Sequence, residues 1–194
     1  MRADPKENSR TFYQRIGKPA FDLTIGLFLS AVTFPALVIL LVLAWIGFGW
    51  PPLVRVRRVG RKGRPFSLYR VNTRKDHRTD LRGRRLRLSL WLRRTSLDEL
   101  PQLWNVMLGR MSLVGPRPLP PLDAAELDTP VPRRRQIARP GLTGPWQVFA
   151  RGDGRDLSNH LDVDLAYVES ITFRRDLAIL ASTLPAVLRY REDA

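Results

Sequence analysis

An adjacent acid pair, Asp98 and Glu99, stands in the segment Thr95 to Pro118, TSLDELPQLWNVMLGRMSLVGPRP, of a chain that is otherwise strongly cationic. Two neighbouring carboxylates can hold a divalent metal or attack a phosphate. They can also do something simpler. Ser96 followed three residues later by Glu99 matches a capping box, and acids in a first helical turn are favoured by the macrodipole. The surroundings add chemistry. Pro101 removes a donor from the first turn, and Gly115-Pro116-Arg117-Pro118 follows one helix later as a stiff loop carrying a single guanidinium. Helix amides bind anions and Arg grips phosphate through a planar fork, so the segment predicts a phosphate site flanked by carboxylates.

Composition limits the alternatives. The 194 residues hold 33 Lys plus Arg against 18 Asp plus Glu, a formal net charge of +15. Anionic partners are expected: nucleic acid, phospholipid or nucleotide. There is no cysteine, which excludes disulfides, a thiolate zinc site and a cysteine nucleophile. His77 and His160 lack ligand spacing and read as surface or loop residues. Any metal should therefore be a hard, oxygen-liganded ion such as Mg2+.

Something must position the acid pair, and part of that frame is a membrane segment. From Leu23 to Trp50 the chain has no charged residue, which exceeds the roughly 20 apolar residues needed to cross a bilayer. Both flanks are basic: Arg10, Arg15 and Lys18 before it, and Arg55, Arg57, Arg58, Arg61, Lys62 and Arg64 after it. A spanning helix would export one basic flank against the positive-inside bias. Pro35 deletes a backbone hydrogen bond near the middle. Two arms of about 12 to 15 residues would each reach some 20 Å, enough to dip in and return. Thr33 is placed to bond a carbonyl freed at the break. A Pro-kinked spanning helix and a re-entrant one both fit these residues.

Beyond the membrane segment the pattern predicts an α+β, mainly helical fold. Leu53 to Arg58 and Pro65 to Val71 read as a β-hairpin around a basic turn at Gly60 to Gly63. Asp76 to Arg87 reads as a loop or a face for anionic headgroups. Leu100, Leu103, Trp104, Met107 and Leu108 give one buried face to a helix after the acid pair. Turns at Pro140-Gly141 and Gly144-Pro145 precede a short strand-like run, and Leu157 to Ser170 and Asp176 to Tyr190 read as amphipathic, interfacial helices. The divisions are a basic segment 1–17, a Pro-interrupted membrane segment 18–50 and a compact domain 51–194.

Motifs throughout the chain resemble the monotopic phosphoglycosyl transferases, or bacterial sugar transferases. They occur in that family's order: Lys18 with Asp22, the Pro-interrupted apolar segment, Arg58 to Phe66, SLDELPQL from Ser96, MSLVGPRPL from Met111, RPGLTG with QV from Arg139, and Asp164 to Val168. The resemblance implies transfer of a phosphosugar from a UDP-sugar to a polyprenol phosphate, with release of UMP. It also implies a re-entrant segment centred on Thr33 and Pro35, and a place on the cytoplasmic face of a bacterial inner membrane beside anionic lipid. Asp98 becomes the nucleophile, forming an aspartyl-phosphosugar, with Glu99 handling Mg2+ or a proton. Arg117, Arg94, Arg70, Arg139, Gln147 and Arg151 are the expected phosphate and substrate contacts.

Three positions depart from the family pattern: Phe34 where a Ser often stands, Asn72 where an arginine does, and Arg110 where an acid does. Arg70 and Arg74 are the available substitutes for the arginine. Two other functions compete. A membrane-tethered nucleic-acid-binding module accounts for the charge but leaves the acid pair beside an Arg loop without a role. An inactive scaffold of the same fold would follow if Asn72 and Arg110 disabled the site.

Overall fold

A computed structural model describes residues 11–73, 84–126, 133–149 and 157–189. Helix α1, Lys18–Phe48, contains the whole apolar run and is helical straight through Pro35. A break there was expected. Proline removes one donor and frees the carbonyl of Ala31, but the bonds on either side persist. Thr33 does not take that freed carbonyl, because its hydroxyl donates to Leu29 O at 2.6 Å, the i−4 bond that Ser and Thr commonly make within helices.

Burial divides α1 into two contacts with the rest of the fold. Lys18, Asp22 and Gly26 are buried near its start, and Leu37, Leu40, Ala44 and Phe48 near its end. The first half joins a core of Leu68, Leu103, Val106, Met111, Leu113, Val114 and Tyr167. The second half packs with Val71 of the hairpin and Leu92. Between and around these contacts Leu27, Phe28, Val32, Phe34, Ile39 and Ile46 lie exposed.

The hairpin forms as the alternation predicts. Strands β1, Leu53–Val59, and β2, Pro65–Val71, pair antiparallel with Val56 opposite Leu68. The turn is a short 3-10 segment, Arg61–Gly63, with Lys62 and Gly63 at positive φ. Helix α2, Arg84–Arg94, then occupies sequence that had read as loop up to Arg87. The rest of that expected loop lies outside the described residues.

A 3-10 turn, Leu97–Glu99, leads into α3, Gln102–Met107. The capping box does not form: Ser96 is left-handed at φ 54 and its side chain makes no cap bond. Helix α3 is also shorter than its apolar spacing suggested, so Leu108 is exposed while Gln102, Asn105 and Val106 are buried. Strand β3, Ser112–Val114, and β4, Gly141–Thr143, form a parallel pair flanking α4, Pro121–Glu126. The run after Gly144 is not strand-like but a short helix, α5, Pro145–Phe149. The last two helices, α6, Leu157–Glu169, and α7, Phe173–Arg189, fall where the sequence put them.

Candidate functional site

Asp98 is almost fully buried in its 3-10 turn, at 1% exposure. Arg70 on β2 donates to Asp98 Oδ2 at 2.6 Å and lies 3.2 Å from Glu99 Oε1, so one guanidinium ties both acids together. Asn105 helps set that strand edge. From α3 its Nδ2 donates to Ser67 O and its Oδ1 accepts from Tyr69 N, occupying backbone groups that the β1 ladder leaves over. The next residue is Arg70.

The other oxygen, Asp98 Oδ1, is buried and has no hydrogen-bond partner. An orphaned buried acceptor calls for an explanation. Burial raises the Asp98 carboxyl above the usual carboxylate range, while Arg70 pulls it back down, Glu99 pushes it up and Arg93 lowers it. The macrodipole was expected to favour the acid pair; the charge that most opposes the effect of burial on Asp98 is that of Arg70.

Above the dyad lies a cleft of about 540 Å3 lined by Arg70, Arg93, Glu99, Gln102, Arg117 and Gln147 among others. Arg117 leaves the loop after β3 and stacks its guanidinium on Trp146, 3.6 Å from the ring centroid. The loop itself is pinned at its backbone. Arg117 N donates to Asp164 Oδ2 at 3.1 Å, and Arg135 Nη2 donates both to Arg117 O at 2.7 Å and to Asp164 Oδ2 at 2.6 Å. Gly141 N also donates to Pro116 O. Gly115 is required here because a Cβ would run into the carbonyl oxygen of Arg139. Gln147 Oε1 is a second buried acceptor with no hydrogen-bond partner.

The structure thus gathers Glu99, Arg70, Arg117 and Gln147 around one cleft, with buried Asp98 bonded to Arg70 but outside the lining. Arg94 is exposed at the end of α2 and does not line it. Arg139 lies elsewhere, beside Gly109, with Arg61 and Arg110. Arg151 lies outside the described residues, as do Arg74 and His77, and the side chain of His160 is likewise not described. Asn72 borders the cleft and donates to Pro51 O, so it braces the strand end. Sequence reasoning missed Arg93, Arg135 and Trp146. Arg93 and Trp146 adjoin recognised motifs, whereas nothing linear links Arg135 to Asp164.

A second buried network ties the frame together. Asp176 of α7, wholly buried, accepts from Tyr13 and from Lys18 Nζ, each at 2.6 Å, and from the Tyr167 hydroxyl at 2.6 Å. Tyr167 also reaches Val114 O, the last residue before the Gly-Pro-Arg-Pro loop. Asp22 accepts from Ser112 Oγ and Leu113 N. The start of α1 is therefore fastened to β3.

The bacterial sugar transferase family model matches residues 13–190, and the chain belongs to that family. It is 36% identical over 178 residues to an uncharacterized sugar transferase, EpsL, of Bacillus subtilis, covering 88% of this chain and 87% of that protein. It is 34% identical to an undecaprenyl-phosphate galactose phosphotransferase of Salmonella typhimurium, over 90% of this chain. A UDP-glucose:undecaprenyl-phosphate glucose-1-phosphate transferase of Caulobacter vibrioides is 32% identical over 88% of this chain. The chain spans 41% of the Salmonella protein and 69% of the Caulobacter one.

Proposed function

We propose that this protein transfers a phosphosugar from a UDP-sugar to a polyprenol phosphate such as undecaprenyl phosphate, through a covalent intermediate on Asp98. The observation that carries it is the orphaned, buried Oδ1 of Asp98, whose other oxygen is held by Arg70, a residue of the cleft that also presents Arg93, Glu99 and Arg117. Asp98 Oδ1 attacks the sugar-bearing phosphorus of the donor. The bond from that phosphorus to the bridging oxygen breaks, and the oxygen leaves with UMP. An oxygen of the polyprenol phosphate then attacks the same phosphorus, the aspartyl bond breaks, and polyprenol-diphosphate-sugar departs with the carboxylate restored. Splitting one displacement into two is the gain of covalent catalysis.

The residues divide the remaining work. Arg117, held by the ring of Trp146 and by its own backbone bonds, meets phosphate charge with a fixed guanidinium. Arg70 favours the charged form of Asp98 against the effect of burial and orients it through its bond to Oδ2. Asp98 and Glu99 offer hard oxygen donors suited to Mg2+, and among the described residues no cluster of three or more His, Asp or Glu supplies a larger set. Mg2+ bound by one or two carboxylates and substrate phosphates fits that donor count, and when bound it neutralises phosphate charge. The names of the Salmonella and Caulobacter relatives, with undecaprenyl phosphate and UDP-glucose, support the acceptor and donor classes.

The same reading places α1, although its helix continues through Pro35, as a re-entrant segment on the cytoplasmic leaflet of a bacterial inner membrane. Its support is that both halves of α1 pack on one domain while the surface between them is apolar and exposed. Incubating purified protein with UDP-sugars, undecaprenyl phosphate and Mg2+ should release UMP, and Asp98→Asn should not. Release that survives Asp98→Asn sinks the nucleophile. For topology, Arg10→Cys and Lys62→Cys in this cysteine-free chain should both resist an impermeant thiol reagent added outside intact cells. Labelling of Arg10→Cys alone means that the segment spans.

A further inference from the structure

Two adjoining cavities share no lining residue with the dyad cleft. The first, about 500 Å3, is bounded by Arg15, Lys18 and Asp22 at the start of α1, by Arg61, Arg134 and Arg139, and by an apolar wall that includes Leu165 and Val168. The second, about 690 Å3, takes in Arg61, Lys62, Arg64, Arg110 and Arg139, with no acidic residue in its lining. Arg61 and Arg139 border both, making a common wall. The first cavity has two acids, exposed Glu169 at its rim and Asp22, which is already engaged by Ser112, Leu113 and Lys18, while Lys18 is committed to Asp176. Five basic side chains, Arg15, Lys18, Arg61, Arg134 and Arg139, outnumber them. The guanidinium groups dominate the groove. Arg61 is also fixed in place, its Nε donating to Ile137 O at 3.0 Å.

The level of the groove is set by α1. Lys18 and Asp22 line it, and the exposed apolar side chains begin at Leu23 and continue with Leu27 and Phe28. At about 1.5 Å of rise per residue, Lys18 lies about 7.5 Å, under one and a half turns, from Leu23, the first exposed large apolar side chain of α1. Exposed Phe12 and Ile16 flank the same end, and exposed Leu108 precedes Gly109 at the second cavity. A cluster of guanidinium groups at that depth, with apolar side chains around it, has the chemistry of a phospholipid headgroup site, since Arg forks match phosphate oxygens.

We propose that this groove binds the phosphate headgroup of an anionic membrane glycerophospholipid, apart from the cleft that holds donor and acceptor. The inference rests on α1 lying in the membrane but not on the reaction, and the test uses full-length Asp98→Asn protein so that turnover plays no part. In detergent micelles titrated with short-chain phosphatidylglycerol, native mass spectrometry counts bound lipid. Arg139→Gln or Arg110→Gln should weaken binding roughly fivefold each, the effect of removing about 1 kcal/mol of headgroup attraction. Arg57→Gln removes the same charge from an exposed position outside both cavities and should change binding less than about twofold, in keeping with a screened surface charge. Equal losses in all three variants mean diffuse attraction and overturn the site. Equal binding of phosphatidylcholine overturns it too, as does displacement by millimolar glycerol 3-phosphate, which would show a soluble phosphate site. Tighter, Arg139-dependent binding of polyprenol phosphate would make the groove an acceptor site instead. Because Arg110 is exposed, its variant reads the site even if Arg139→Gln fails to fold.

Discussion

Arg70 meets Asp98 and Arg135 meets Asp164 at the same 2.6 Å, and both aspartates are almost wholly buried, each with an unpartnered Oδ1. Burial raises both carboxyls, each opposed by its arginine. Their surroundings differ. The Arg70 side chain is 31% exposed and shares a second acid, Glu99, beside an open cleft. The Arg135 side chain is 7% exposed and its Nη2 also donates to the Arg117 carbonyl. The two aspartates are equally buried, so what differs is that the Arg70 pair opens its guanidinium and the neighbouring Glu99 to the cleft, whereas the sealed Arg135 pair fastens the backbone it touches. Pair geometry alone does not separate the two roles; access does.

The comparison can be broken at either pair. The largest effect is expected from Asp98→Asn, which should lower UMP release on the order of 10^4-fold, a loss typical of removing one member of a catalytic unit. Its melting temperature should stay near the wild type because Arg70 can turn to solvent. Asp164→Ala reverses that pattern. It leaves the Arg135 charge buried and unpaired, a change that costs about 3 to 5 kcal/mol, and a thermal melt should show it. A melt in which Asp98→Asn is the more damaging of the two would overturn the contrast.

Arg70→Met is expected to act through pH. Asp98 must be ionised to attack, so activity falls as pH drops through its carboxyl pKa, already raised by burial. Removing Arg70 takes away the main opposing influence and raises that pKa further. The acid limb of the rate profile should therefore move to higher pH; an unmoved limb would mean that Arg70 only shapes the cleft. The smallest change belongs to Trp146→Leu, which loses a cation–π contact of about 1 kcal/mol. KM for the UDP-sugar should rise severalfold with kcat largely kept, and a fall in kcat alone would place Arg117 on the transition state only.

Much of this was legible along the chain, for local reasons. The hairpin, α6 and α7 follow from alternation and helical spacing, and Arg70, Glu99, Arg117 and Gln147 lie in or beside recognisable motifs. The errors have physical causes. Ser96 to Glu99 satisfies the spacing of a capping box, but a left-handed Ser96 turns its side chain out of capping reach. Leu108 continues the helical spacing, but α3 stops at Met107 and a turn follows at Gly109, φ 66. Helix α2 hides in an Arg-rich stretch because its support is tertiary: Leu92 is buried against the end of α1, and Ser89 donates to Thr73 O.

The sequence by itself determined the chemical possibilities: a cationic chain without thiols, an uncharged segment long enough for a membrane, an acid pair and a stiff Arg loop, all properties of neighbouring residues. Only the tertiary structure decided which charges meet. Arg70 and Asp98 are 28 residues apart, Arg135 and Asp164 29, Lys18 and Asp176 158. No local periodicity encodes such pairings. They arise from packing: the two halves of α1 sit in two separate clusters with β2, β3 and α2, the turn Arg134–Ile137 packs on α6, and burial makes each charged partner costly to leave unmet.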